Sequence, residues 1–173
     1  MLGTLGSWRG IKLILIGWIA MLGVDLLLHA GLLAALYQRP SPFLLPPMEA
    51  FRRIPIGYAG FLVAAAFLVW VEASLGVRGW RRGVAIGAVV GGAIWASLAL
   101  GLYSITTAAP DLLVAWTVGQ TVEMAYAGAF VGWALAMETH RSVFTVDIAA
   151  SLGWVVLTVL LQSFGVVPIG VPG

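Results

Sequence analysis

Charge is what this sequence has least of. Its 173 residues include nine Lys and Arg, seven Asp and Glu and two His, so that 9% of the chain is charged and 61% hydrophobic. A soluble domain carries about 25% charged side chains. A chain this poor in them cannot cover its surface with groups that water solvates, so lipid is the solvent its composition calls for. The net charge of +2 comes without a basic patch, which excludes nucleic acid as a partner. Cysteine is absent, which excludes a disulfide framework, a thiolate metal site and a cysteine nucleophile. Lipidation signals are missing as well: Leu2 stands where myristoylation needs glycine, and no cysteine closes the chain. No phosphate-binding glycine loop, nucleophile elbow or HExxH pair is present, so no catalytic residue, cofactor or metal is assigned. An intramembrane hydrolase would need a nucleophile beside a base, and Ser97 and Ser104 are its only weak candidates.

Long apolar runs are what the sequence has instead. A membrane-crossing helix needs about 20 mostly apolar residues. Five segments meet that length: 11–37, 54–76, 83–105, 111–137 and 144–163. Backbone amides and carbonyls cannot go unpaired in lipid, so these are helices, and their lack of alternation excludes a barrel. The first run follows a positive stretch, as in a signal peptide, but continues to Tyr37 without a clean cleavage site; it is read as a retained helix. The expected fold is all-α: a polytopic transmembrane bundle of five helices in one membrane domain. Its one long connection is a Pro-rich outer loop, 38–55, in which "PPMEAFRR" suits a short interfacial helix. Pro110 and Asp111 read as a stop and an N-cap, and an extended tail is expected over 164–173.

Lys and Arg in short loops set the orientation. Arg9, Lys12, Arg78, Arg81, Arg82 and Arg141 fall on one side and Arg39, Arg52 and Arg53 on the other, which favours a cytoplasmic N-terminus and an external C-terminus. The expected location is the inner (plasma) membrane of a bacterial-type cell, as a multi-pass protein. Helix association in lipid needs close packing or polar contacts. Gly83, Gly87 and Gly91 recur every four residues in the third helix, and Gly128 and Gly132 follow suit in the fourth, so these two helices are expected to approach closely. The rival use of the third-helix glycines is a homodimer. Trp8, Trp80, Tyr37 and Tyr103 lie near helix ends, as interfacial anchors do.

The polar residues at depth are few. "GVDLLLHAG", 23–31, places Asp25 and His29 one helical turn apart inside the first run. Counted from Lys12 at 1.5 Å per residue, Asp25 lies about 20 Å in; counted from Asp111, Glu123 lies about 18 Å in. Both depths fall near the middle of a core about 30 Å thick. Trp116, Gln120 and Glu123 share one helix face. A charged group at the centre of a lone helix costs about 2.5–3.5 kcal/mol. The acids are therefore expected to turn inward, toward each other, His29, Gln120 and Ser97. Two carboxylates in one low-dielectric site do not both stay ionised unless His29 is charged or a cation is bound. Asp25, His29, Gln120 and Glu123 thus form the candidate site for a proton, a cation or a small polar ligand. The competing reading is a hydrogen-bonded clasp that fixes helix register. A metal at Asp25, His29 and Glu123 is chemically feasible, but no local signature supports one. Haem ligation by His29 lacks a matching second histidine. Glu72 is expected to snorkel to the interface and pair with Arg78 or Arg81. Asp147 is expected to serve the N-terminal dipole of the fifth helix, and His140 to be solvated beside Glu138 and Arg141.

The order of Asp25, "ALY" ending at Tyr37, a Pro-containing loop, the glycine-rich third helix ending in "GLYSIT" (Tyr103, Thr106) and Glu123 resembles small predicted bacterial membrane proteins of unknown function, over residues 15–135. That family usually places an acid directly after the third-helix Tyr, where this chain has Ser104. The resemblance implies a compact helical bundle and no activity. Two function classes stay open. One is a carrier or channel-like protein; the other is a non-catalytic accessory subunit of a larger membrane complex. Enzymatic function is not favoured. The partners expected are the lipid bilayer and either such a complex or a second copy.

Overall fold

The structure, a computed structural model, describes residues 7–39 and 41–168; the end of the expected tail, 169–173, lies outside them. The described residues contain six α-helices and no strand: α1 (Trp8–Asp25), α2 (Ala34–Tyr37), α3 (Pro47–Ser74), α4 (Trp80–Ile105), α5 (Pro110–Ala136) and α6 (Arg141–Ser163), with a π-helical segment, Leu26–Leu32, between α1 and α2. The Ser7 hydroxyl caps α1 by accepting from the Gly10 amide at 3.1 Å.

Four of these helices are long and apolar enough to cross a membrane: α1 with the π segment, α3, α4 and α6. That fits a multi-pass integral membrane protein. Helix α5 is as long but does not qualify by composition. Its span includes Thr117, Gln120, Thr121, Glu123 and repeated glycines. It can carry them because it is the most enclosed helix, with thirteen buried residues, and so meets little of the surrounding solvent.

Several expected boundaries move. The single helix over 11–37 is broken into α1, the π segment and α2. The "PPMEAFRR" stretch is not a separate interfacial helix but the first turns of α3, which runs on through Pro55. Pro55 has no amide hydrogen and its ring crowds the Phe51 carbonyl, so that carbonyl forgoes its partner while the helix continues. Ala109 rather than Asp111 is the N-cap of α5; Pro110 occupies its first turn, as does Asp111, which pairs with Arg39. The tail begins as a turn: Gly165, at φ 68°, lets the Val166 amide reach back to the Leu161 carbonyl at 2.9 Å.

The core lies between α1, α3, α5 and α6. Ile16, Ala20 and Met21 meet Ala65, Leu68 and Val69 on one side and Met124, Ala127 and Val131 on the other, with Val143 closing one end. Helix α4 sits outside this core and joins it along α5 by backbone contact. A Cβ built on Gly83 would stand 1.9 Å from the Gly128 carbonyl oxygen, and one on Gly87 2.1 Å from that of Met124. A Cβ on Gly132 would stand 2.8 Å from the Gly79 carbonyl oxygen, and the Gly79 amide donates to the Gly132 carbonyl at 2.7 Å. The third-helix glycines are therefore occupied within the chain. At the same end of the bundle Arg78 donates to the Leu135 carbonyl at 2.7 Å and Arg9 to that of Met137 at 3.4 Å.

Candidate functional site

The candidate site forms where the π segment faces α5. In that segment the Leu33 amide reaches the Leu28 carbonyl, five residues back, at 2.7 Å. Such wide turns occur mostly as single insertions in α-helices and often at functional sites. Helix α6 supports this one. Gln162 Nε2 donates to the Ala30 carbonyl at 2.9 Å, Thr158 packs against Gly31, and Ser151 fits so closely on Gly23 that a Cβ there would fall 2.5 Å from its hydroxyl.

His29 is the hub. Its Nε2 lies 3.0 Å from Glu123 Oε1, 3.9 Å from Asp25 Oδ1 and 3.2 Å from Gln120 Nε2. Gln120 Nε2 also donates to Glu123 Oε1 at 3.0 Å. The other ring nitrogen of His29 contacts the Tyr37 hydroxyl, which itself accepts from Trp116 Nε1 at 2.6 Å. An indole can only donate, so the Tyr37 oxygen receives that proton and its own hydrogen is free to point at His29 Nδ1. In the neutral imidazole the proton then sits on Nε2, directed at Glu123. Gly119 leaves the space the ring needs: a Cβ there would stand 3.4 Å from His29 Nε2. The environment is graded. The Glu123 side chain is sealed, at 0% exposure, while those of Asp25 and His29 retain 15% and 16%. Glu123 Oε2 and Gln120 Oε1 are buried without a hydrogen-bond partner.

Asp25, His29, Gln120 and Glu123 thus come together from three elements, the end of α1, the π segment and α5, with His29 and its α5 partners more than ninety positions apart in sequence. Ser97 does not join them; it lies exposed on α4. Tyr37, expected as an interfacial anchor, is part of the cluster, a role its position eight residues after His29 on the same chain segment would have allowed one to suspect. No local motif announces a metal site, yet one atom from each of Asp25, His29 and Glu123 lies within 4.8 Å of the others, a grouping that can hold an ion.

The remaining acids differ from expectation. Glu72 does not snorkel: it is fully buried, its two oxygens lack partners, and one of them would be 2.8 Å from a Cβ on Gly128. Arg78, its expected partner, is engaged with the Leu135 carbonyl. Gly76 sets this arrangement, since its φ of 63° closes α3 and lets the Val77 amide bond the Glu72 carbonyl at 2.9 Å, turning the chain before any basic side chain can reach inward. Asp147 is likewise fully buried with both oxygens unpartnered; because α6 starts at Arg141, it lies beyond the first turn that a dipole would stabilise. His140 is only partly exposed. Burial, with Arg9 and Lys12 nearby, holds its imidazole below the ordinary histidine value. Among family models, curated proteins and solved structures, none matches this chain.

Proposed function

We propose that this protein is a small integral membrane carrier or channel-like protein whose binding site for a proton, a cation or a small polar ligand is the Asp25–His29–Gln120–Glu123 cluster. The observation that carries the reading is the His29 imidazole held 3.0 Å from a sealed Glu123 and 3.9 Å from Asp25. Ionisable groups within membrane-crossing segments are costly, and most mark ion, proton or substrate pathways. A clasp that only fixed register would be expected to satisfy its own polar atoms. Here Glu123 Oε2 and Gln120 Oε1 keep capacity to spare. The graded exposure from Asp25 and His29 to Glu123 supplies an accessible side and a closed one.

The reading includes five crossings, with α5 as the enclosed fifth, the N-terminus inside and the C-terminus outside in a bacterial-type inner membrane. Six basic residues at one end of the bundle against three at the other support that orientation. The test is flux through vesicles reconstituted with the purified chain. Asp25→Asn and Glu123→Gln should each lower it by about 10-fold or more while helicity is retained. Unchanged flux in both variants overturns the reading. So does a wild-type chain that moves nothing and comes out of mild detergent in fixed stoichiometry with a larger membrane complex, which is the accessory-subunit outcome.

A further inference from the structure

We infer that Asp25, His29 and Glu123 together bind one divalent first-row transition-metal ion, of the manganese, iron or zinc class. The inference rests on the cluster being a binding site and names its ligand. Geometry comes first. Metal bonds to imidazole nitrogen and carboxylate oxygen are about 2.0–2.2 Å long. Adjacent donors around such an ion are then about 3 Å apart, and opposite ones a little over 4 Å. The Nε2–Oε1 separation of 3.0 Å between His29 and Glu123 is the adjacent spacing already, and the 3.9 Å from His29 to Asp25 closes with a small side-chain rotation. All three donors fall within 4.8 Å of one another.

Charge balance favours a divalent ion. Two carboxylates and a neutral imidazole carry two negative charges, which one divalent cation cancels. A monovalent cation would leave net charge in a site that is closed on its Glu123 side, where it is poorly tolerated. Donor type narrows the class further. An imidazole beside carboxylates suits manganese, iron or zinc better than magnesium or calcium, which favour all-oxygen sites.

The donors are surrounded by spare valence. Glu123, 0% exposed, has Oε2 without a partner, and Gln120, 5% exposed, has Oε1 without one. The Gln120 amide stands 3.2 Å from His29 Nε2 and 3.0 Å from Glu123 Oε1. Its oxygen and nitrogen have the same shape, so a half-turn presents a further oxygen donor beside the other three. With a metal on Nε2 in place of its proton, the neutral imidazole carries its hydrogen on Nδ1 and donates it to the Tyr37 oxygen, which also accepts from Trp116. A histidine ligand braced through its second nitrogen is the usual arrangement at metal sites.

The full chain, purified in detergent micelles and stripped with a chelator, is titrated with manganese(II), the free ion being followed by its electron paramagnetic resonance signal. One ion should bind per chain, and saturating manganese(II) should raise the Tm of the wild-type protein. Asp25→Asn, His29→Gln and Glu123→Gln should each weaken binding by about 100-fold, Tyr37→Phe by about 10-fold, and Asp147→Asn should bind as wild type does. The inference is overturned if the folded wild-type chain binds neither manganese(II) nor zinc(II) saturably and shows no rise in Tm. Binding that survives Asp25→Asn and Glu123→Gln combined overturns it equally. Proton flux that depends on Asp25 and Glu123 without metal binding would sink this inference alone. Metal binding by a chain that moves nothing across vesicles would sink only the carrier reading.

Discussion

Helix α5 has two working faces, and they hold their neighbours by opposite means. Toward α4 it offers Gly128, Gly132 and the Met124 backbone to Gly79, Gly83 and Gly87, and the two backbones approach until no Cβ fits between them. Toward the π segment and α2 it offers Trp116, Gln120 and Glu123, whose polar atoms reach across to His29 and Tyr37. The first face gains its contact from closely packed backbone and has no room for a ligand. The second is joined through a few polar atoms, two of which stay unpaired. Lipid supplies no hydrophobic force to bring helices together, so each face has to find another source of attraction. The dry, close seam serves assembly, and the polar face is where chemistry can happen.

A substitution on the seam gives the largest effect expected. Gly83→Val pushes branched carbons into the Gly128 carbonyl, which backbone cannot yield. It should lower stability by at least about 3 kcal/mol and is checked by titration with a denaturing detergent; an effect under about 1 kcal/mol would mean the seam is not the assembly face. Next in size is a change between the two faces, at Glu72. Replacing this buried, unpartnered acid with methionine removes a desolvated polar group and keeps its length. Glu72→Met should raise stability by about 1–2 kcal/mol and leave vesicle flux unchanged. Lost flux would make Glu72 part of the pathway. Gln162→Leu deletes the donor to the Ala30 carbonyl and should cost about 1–2 kcal/mol. If the wide turn positions His29, that variant also loses flux, whereas intact flux would divorce the turn from the site. The smallest change in stability, within about 1 kcal/mol, is expected for Glu123→Gln, which keeps shape and hydrogen-bonding reach. A large loss there would turn the polar face into a structural clasp.

The buried acids carry a second lesson. Glu72, Asp147 and Glu123 are all sealed from solvent, yet among the described residues only Glu123 joins a cluster with another acid and a histidine. Burial of an acid therefore does not by itself identify a site. Matching depths did anticipate that Asp25 and Glu123 lie in one group, because rise per residue is nearly constant in a helix and antiparallel entry points can be compared by counting. The same counting misjudged Glu72, because snorkelling depends on where the chain turns, and that turn is set by Gly76 in its left-handed conformation. Tyr37 was read as an anchor because its position near a helix end is a one-dimensional fact, while its contact with His29 depends on the widened turn between them.

Composition and periodicity by themselves determined the solvent, the helical class, the approximate extent of the apolar runs and the presence of small-residue rows. Each follows from a cost summed along one segment: unpaired backbone, exposed charge, or apolar length against membrane thickness. Tertiary structure alone decided that the first run breaks into a π turn, that α5 is enclosed rather than lipid-facing, and that Trp116, Tyr37, His29 and Glu123 form one connected set. Those outcomes depend on how helices rotate against their neighbours. A rotation is fixed by contacts summed over all the partners at once, and no single segment contains that sum.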